Sequence, residues 1–294
     1  MLEIIPKNTN IDFIGKRYIW MTISVICIVG SFVLMATKGL NYGIDFTGGA
    51  EVQLNFKKSI DIGQVRELMN KGGFKNLVIQ QLGDVKENAF LTKFRGDEAE
   101  LQKIASRVEE ALVANQFSAS EFEISRVDVV GPQAGSELRK SGFLSMFYAL
   151  LCILIYVAIR FDFRYSPGAV LALVHDSVIT MGIFVLTQKE FSLQIVAAIL
   201  TIIGYSNNDT IIVYDRIREV MKLHPERSIE VNVNRSINET LSRTILTSLC
   251  TLLVVVALML FGGSVIHDFA FTMCIGIVVG TYSSIFIASP VLIL

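Results

Sequence analysis

Six stretches of the chain are apolar for about the length of a bilayer crossing, and one long polar stretch separates the first from the rest. The apolar runs are Ile19–Thr37, Gly142–Ile159, Pro167–Leu186, Leu193–Val213, Thr244–Phe261 and Phe269–Ala288. At a rise of about 1.5 Å per residue, each can cross a hydrocarbon core of about 30 Å, so the pattern predicts six transmembrane helices. The first run is too long for a cleavable signal sequence, and no small-x-small cleavage site cleanly precedes the polar stretch.

The polar stretch, residues 38–141, alternates strand and helix periods. Glu51–Phe56 alternates as a strand, and Ile60–Lys71 has helical spacing at Val65, Leu68 and Met69. Leu77–Leu82 and Ala89–Phe94 are strands around a turn at Gly83–Asn88. Glu98–Asn115 is an amphipathic helix with Leu101, Ile104, Ala105, Val108, Leu112 and Val113 on one face. Phe122–Val130 is the last strand. The order β-α-β-β-α-β is the ferredoxin-like split pattern, which hosts many functions and names none. The predicted architecture is an all-α six-helix membrane bundle with an inserted α+β domain. It divides into residues 1–37 (cytoplasmic N-terminus and first span), 38–141 (soluble domain) and 142–294 (the other five spans).

Lysine and arginine in the short loops orient the bundle. Lys7, Lys16, Arg17, Arg160, Arg164, Arg216, Arg218, Lys222, Arg227, Arg235 and Arg243 fall on one side, and only Lys189 on the other. The first side is cytoplasmic, which puts both termini inside and the insert outside. Within the cytoplasmic loop at 214–243, Ile217, Val220, Met221 and Leu223 suggest a short amphipathic helix before His224-Pro225, and Ser228 opens a second. These would lie on the membrane surface or form a solvated connector. The chain stops at Leu294 while still apolar and without a basic tail, as a truncation would leave it.

Composition agrees with the pattern. Of 294 residues 52% are hydrophobic and 18% charged, against about a quarter charged in soluble domains. A net charge of -1 gives no reason to expect nucleic acid or acidic substrates. Cys27, Cys152, Cys250 and Cys274 all lie in apolar runs, which argues against a disulfide framework or a zinc site.

The chemistry is concentrated in the fourth span, where Thr201 and the run Tyr205-Ser206-Asn207-Asn208-Asp209-Thr210 interrupt an apolar helix. A carboxylate at membrane depth costs a few kcal/mol, so Asp209 is expected to face protein or water, where it can take up and release protons. The opposing reading places it at the interface, as the start of the loop. Arg243 opens the fifth span, with Thr247 and Thr251 following at helical spacing, and an Asp209–Arg243 ion pair is geometrically reasonable. His175-Asp176, in the middle of the third span, is either a second proton-relay pair or a polar clasp between helices. An aspartyl-protease dyad of Asp176 and Asp209 has no local support. The segment Gly43–Gly49 begins like a phosphate loop but lacks its Lys and Ser/Thr, so a glycine turn into the insert is the better reading. Gly276, Gly280 and Ser284 have the small-x-x-x-small spacing of close helix packing.

Taken with Asn41–Gly49, Val130–Leu138, Ala172–Asp176, Gly204–Glu219, Arg243-Thr244 with Thr247-Ser248, Phe261-Gly262-Gly263, and Gly280-Thr281 with Ser283-Ser284, the chain resembles the SecD/SecF family of protein-export membrane proteins. The resemblance runs along nearly the whole length. It implies half of a transporter of resistance-nodulation-division architecture in the bacterial inner membrane, not an enzyme and without a cofactor. The half would pair with SecD and assist the SecYEG translocon, with YajC as an accessory, using proton or sodium flow to act on exported preproteins. The family's fourth-span Asp and fifth-span Arg fall on Asp209 and Arg243. Asn207 stands where the family usually has an apolar side chain, and its amide would hold the Asp209 carboxylate by a hydrogen bond, which leaves the coupling ion open. A lipid or small-molecule exporter half would need a larger pocket-bearing domain, and a passive scaffold would need no buried charge.

Overall fold

The computed structural model describes residues 9–74, 77–82, 88–96, 98–115, 117–118, 120–161 and 165–293, apart from the side chains of 98, 99 and 264. Lys7, Arg164 and most of the turn at Gly83–Asn88 lie outside the described residues. Among the described residues, six helices are long and apolar enough to cross a membrane: α1 (Arg17–Lys38), α6 (Pro132–Arg160), α7 (Ser166–Leu186), α8 (Leu193–Leu223), α9 (Ile229–Phe261) and α10 (Gly263–Ser283). The last continues through a π-helical stretch, Ser284–Ala288, into α11 (Ser289–Val291).

Side-chain size sorts the six helices. α7, α8 and the final helix bury more than half of their apolar windows, whereas α1 and α6 bury 11% and α9 17%. The central three carry the small and polar residues that let backbones approach. The outer three turn Ile, Leu, Val and Phe outward, as Ile23, Ile26, Phe32, Leu253 and Val254 do. A Cβ on Gly276 would meet Ile202, and one on Gly280 would stand 3.0 Å from Ser206 Cβ, so the glycine stripe is the seam between α10 and α8. Ser284 is buried beyond it. Gly182 plays the same part where α7 crosses α1 at Ser31.

The segment 214–243 differs from expectation. Residues 214–223 continue α8 and residues 229–243 are the first half of α9, so the connection is only 224–228. The reason is local. Nothing in 205–223 breaks a helix, Pro225 ends the run, and Ser228 caps the next helix by accepting from Val231 N at 3.4 Å. Arg216 bridges the two extensions to Glu239 at 2.6 Å. The N-terminal segment lies across α9, where Asn234 and Asn238, one turn apart, bond the backbone of Ile11, Phe13 and Ile14.

The insert places β2 (Gly49–Phe56), β3 (Val78–Leu82), β4 (Ala89–Phe94) and β5 (Phe122–Val130) in one antiparallel sheet of order β3-β4-β2-β5. Ala50, Val52, Leu54 and Phe56 of β2 point into the core with α3 (Ile62–Lys71) and α5 (Ile104–Ala114). Asp61 and Gln64 form a capping box at the start of α3. The expected helix Glu98–Asn115 is broken at Gln102-Lys103 into α4 (Glu98–Leu101) and α5. Leu101, Ile104, Val108 and Leu112 are buried as the periodicity required, but Val113 is 51% exposed, because it lies about 100° round the helix from Leu112.

Residues 41–49 do not form the expected glycine turn. They form a two-residue strand, β1 (Asn41–Tyr42), then a single helical turn, α2 (Ile44–Thr47), between Gly43 and Gly48. β1 pairs in parallel with β6 (Glu190–Phe191), in the loop just before α8.

Candidate functional site: buried carboxylates of the membrane bundle

Aliphatic turns at Ile195, Ile199, Ile202 and Ile203 bury the first part of α8, and the same face then carries its polar run inward. Ser206, Asn207, Asp209 and Thr210 are buried there, while Thr201, Gly204 and Asn208 face outward. Asp209 is 1% exposed, and α8 runs on past it to Leu223, so it faces protein and does not begin a loop. Its Oδ2 accepts from Ser248 Oγ of α9 at 3.3 Å, and Thr281 Oγ1 of α10 lies 2.7 Å from that hydroxyl. A chain of hydroxyls thus joins α10 to α9 to the carboxylate on α8.

Arg243 is exposed on the outer side of α9, and among the described residues no ion pair joins it to Asp209. Thr247 and Thr251, expected on the site-facing stripe, bond their own helix at the carbonyls of Arg243 and Thr247. The inward face of α9 is the adjacent row, with Thr244, Ser248 and Val255 buried. No hydrogen bond links Asn207 to Asp209 among the described residues. Asn207 Oδ1, Thr210 Oγ1 and Thr244 Oγ1 are buried without a protein partner.

Asp176 forms a second node. Its Oδ1 lies 2.8 Å from His175 Nδ1, and its Oδ2 accepts from Ser206 Oγ of α8 and, at 2.7 Å, from Ser283 Oγ of α10. Three helices meet on one carboxylate. His175 stacks on Tyr282, centroids 5.9 Å apart, and Tyr282 OH reaches Trp20 O and Ser24 Oγ of α1. The two aspartates are held by different partners and share no contact, so the protease dyad is absent among the described residues. Ser248, Thr281 and Ser283 belong to the motifs that carry the resemblance, but the sequence assigns them no site role: single hydroxyls in apolar helices give little signal of their own, and their helical register relative to Thr244 and Gly280 is what marks them as inward-facing. Among the described residues no three His, Cys, Asp or Glu side chains cluster as metal ligands.

Comparison with known proteins points one way. The family model described as protein export membrane protein SecD/SecF, C-terminal, matches residues 109–294, and the SecD/SecF GG motif matches 33–60. The chain is 47% identical to a protein translocase subunit SecF from Calditerrivibrio nitroreducens, over 98% of this chain and 95% of that one. It is 47% identical to another from Magnetococcus marinus, over 100% and 94%. The crystal structure of SecDF, a translocon-associated membrane protein from Thermus thermophilus, superposes with a TM-score of 0.84 at 38% identity. That match covers 99% of this chain, which spans 39% of the length of the SecDF chain.

Proposed function

The chain belongs to the SecD/SecF family of protein-export membrane proteins, and we propose that it works as the SecF-type half of an ion-driven transporter that aids protein translocation. The other half is a SecD-type chain, in keeping with the fraction of the solved SecDF chain that this one spans. The pair serves the SecYEG translocon, with YajC as accessory, and acts on unfolded preproteins as they emerge. The membrane is the bacterial inner membrane, whose lipids meet the aliphatic faces of α1, α6 and α9. The arginine-rich ends face the cytoplasm and the insert faces the periplasm. We take 1–37, 38–141 and 142–294 as the functional divisions, and the insert as ferredoxin-like, supported by its strand order and by helices packed on one face.

The observation that carries this reading is Asp209: a carboxylate 1% exposed inside a membrane helix, held by a hydroxyl and not by a cation. A buried carboxylate without a bound counter-charge changes its surroundings when it gains or loses a proton. Ionised, Asp209 accepts from Ser248 and draws Arg243 toward it. Protonated, it becomes a donor and Arg243 has no counter-charge. Asn207 and Thr210, buried beside it, offer polar atoms to a proton or sodium ion on its way, whereas Asn208, also expected in the ion site, faces outward. The membrane potential supplies about 2.3 kcal/mol per elementary charge per 100 mV, enough to bias two states of a bundle.

The test is preprotein translocation into inverted vesicles, with and without an imposed ion gradient. Asp209→Asn keeps the shape of the protonated acid and cannot ionise. It is expected to leave assembly with SecD intact and abolish the gradient-dependent part. Unchanged stimulation would favour the passive-scaffold reading. The lipid-exporter reading is disfavoured by the translocase relatives, which match over nearly the whole chain.

A further inference from the structure

The helix that carries Asp209 does not cap its own first turn. Ser192, at the N-cap position of α8, makes no side-chain cap, and Leu193 N donates instead to Asp45 Oδ2 at 2.8 Å, from 148 positions earlier in the chain. The first N–H groups of a helix lack intrahelical partners and carry partial positive charge, so a carboxylate there is held by hydrogen bond and dipole together.

Asp45 reaches that position because α2 is wedged between the starts of two membrane helices. A Cβ on Gly43 would stand 2.8 Å from Glu190 Oε1, and one on Gly48 2.8 Å from Pro132 Cα at the start of α6. Gly48 also has φ +74°, a conformation that favours glycine. Gly43 N donates to Phe191 O at 2.9 Å, and Phe46 stacks on Phe191 with centroids 5.5 Å apart. From the sheet side, Lys93 of β4 sits between Glu51 of β2, at 2.8 Å, and Glu190. Burial opposes the charge on Lys93, and hydrogen bonds to Glu190 and Glu51 more than offset it, so its pKa is raised. Backbone pairing, ring stacking, a lysine bridge and a carboxylate cap therefore all join the base of the insert to the same few residues at the head of α8. The insert is seated on that helix; it does not hang from a linker.

We propose that Asp45 is a positioning residue for the ion-driven step: it clamps the head of the Asp209 helix to the base of the insert, so that a shift or tilt of α8 moves the insert with it. This rests on the reading of Asp209 as the ion-responsive group. Asp45 itself lies at the outer end of the helix, away from the Asp209 carboxylate.

The experiment uses the full chain assembled with its SecD-type partner in inverted vesicles, with Cys27, Cys152, Cys250 and Cys274 replaced by Ala. Asp45→Ala is expected to lose the gradient-dependent stimulation while gradient-independent translocation stays unchanged. Asp45→Asn, which keeps an acceptor without the charge, is expected to retain part of it. A double variant, Asp45→Cys with Leu193→Cys, joined by a short bismaleimide, is expected to regain stimulation that its unlinked form lacks. Spin labels at Lys58, on the insert, and Leu223, at the far end of α8, add a readout that a merely structural cap would not move: because the clamp carries the insert with α8, their separation is expected to hold steady under the gradient in the parent and to change with it in Asp45→Ala. Full stimulation in Asp45→Ala, or no recovery on cross-linking, overturns the clamp. If Asp209→Asn loses stimulation in the same vesicles while Asp45→Ala keeps it, the clamp fails and the ion reading stands. If Asp209→Asn keeps it, the ion reading fails and the clamp with it.

Discussion

Val108 and Val113 are the same residue type on the same helix, five positions apart, and the structure gives them opposite surroundings. Val108 is 0% exposed, packed in the core of the insert with Leu54, Met69 and Phe90, whereas Val113 is 51% exposed. Val108→Asp removes the burial of a valine side chain, about 1.5–3 kcal/mol, and puts a carboxyl group where nothing can hydrogen-bond it, a further several kcal/mol. A small domain is stable by about 5–15 kcal/mol in total, so the variant is expected to be largely unfolded at room temperature. Val113→Asp introduces the same group into water and is expected to change stability by no more than about 0.5 kcal/mol. Urea denaturation of a soluble fragment spanning 38–141, followed by far-ultraviolet circular dichroism, measures both. If Val108→Asp unfolds at the parent's midpoint, or Val113→Asp falls as far as Val108→Asp, the assigned core face is wrong.

Gly182→Ala would push a Cβ to 2.0 Å from Ser31 Oγ and 2.9 Å from its Cα, so the full chain in detergent is expected to lose about 1–3 kcal/mol of stability. Gly204→Ala, which meets nothing within 4 Å, is expected to be neutral or stabilising; thermal aggregation of the two variants, side by side, decides it. The Glu121 carboxyl is lowered from 4.5 to about 2, chiefly by its hydrogen bond to Lys58 and then by Ser118 N–H. Because the folded value is depressed, the contact contributes above the ordinary carboxylate value and is lost as pH falls through about 2. A carboxyl NMR titration is expected to find that midpoint, and Lys58→Ala is expected to raise it. For the orientation, a cysteine at Lys58 is expected to react with an impermeant maleimide added from outside and one at Lys222 to be spared; the reverse result removes the periplasmic role of the insert.

What the sequence made legible follows from which signals are local. Apolar runs gave six helices because lipid leaves the backbone no other option. The strands read at Ala89–Phe94 and Phe122–Val130 have the bounds of β4 and β5. Asp209 stood out because a charge in an apolar run is rare. The failures are matters of register and of distance. Thr247 and Thr251 were chosen by spacing from Arg243, and the inward row lies one residue over, at Thr244 and Ser248. Arg243 and Asp209 lie toward the same end of adjacent helices, yet the arginine faces out and the nearer donor is a serine. The segment Gly43–Gly49 read as a turn because its partners, Glu190, Leu193 and Pro132, are too far along the chain for any local pattern to include.

Two carboxylates grip the same pair of helices. Asp176, from α7, accepts from Ser206 of α8 and Ser283 of α10, and Asp209, three residues past Ser206, is reached from Thr281, two residues before Ser283, through Ser248. Each hydroxyl has one proton to give. Thr281 Oγ1 lies 2.7 Å from both Ser248 Oγ and Ile277 O, so it serves one of them at a time. With Asp209 ionised, Ser248 gives its proton to the carboxylate and accepts from Thr281. With Asp209 protonated, the acid donates, Ser248 turns round, and Thr281 is released to its own helix. Just beyond, Ser284–Ala288 is π-helical, a stretch where the backbone register has already slipped and where helices commonly yield. We read Asp176 as the fixed member, since His175 lies on one of its oxygens and hydroxyls from α8 and α10 donate to the other, and the Asp209 chain as the one that rearranges. A proton at Asp209 then reaches α10 by changing which group donates, and the bundle can respond at its π segment while the Asp176 clasp keeps the three central helices together.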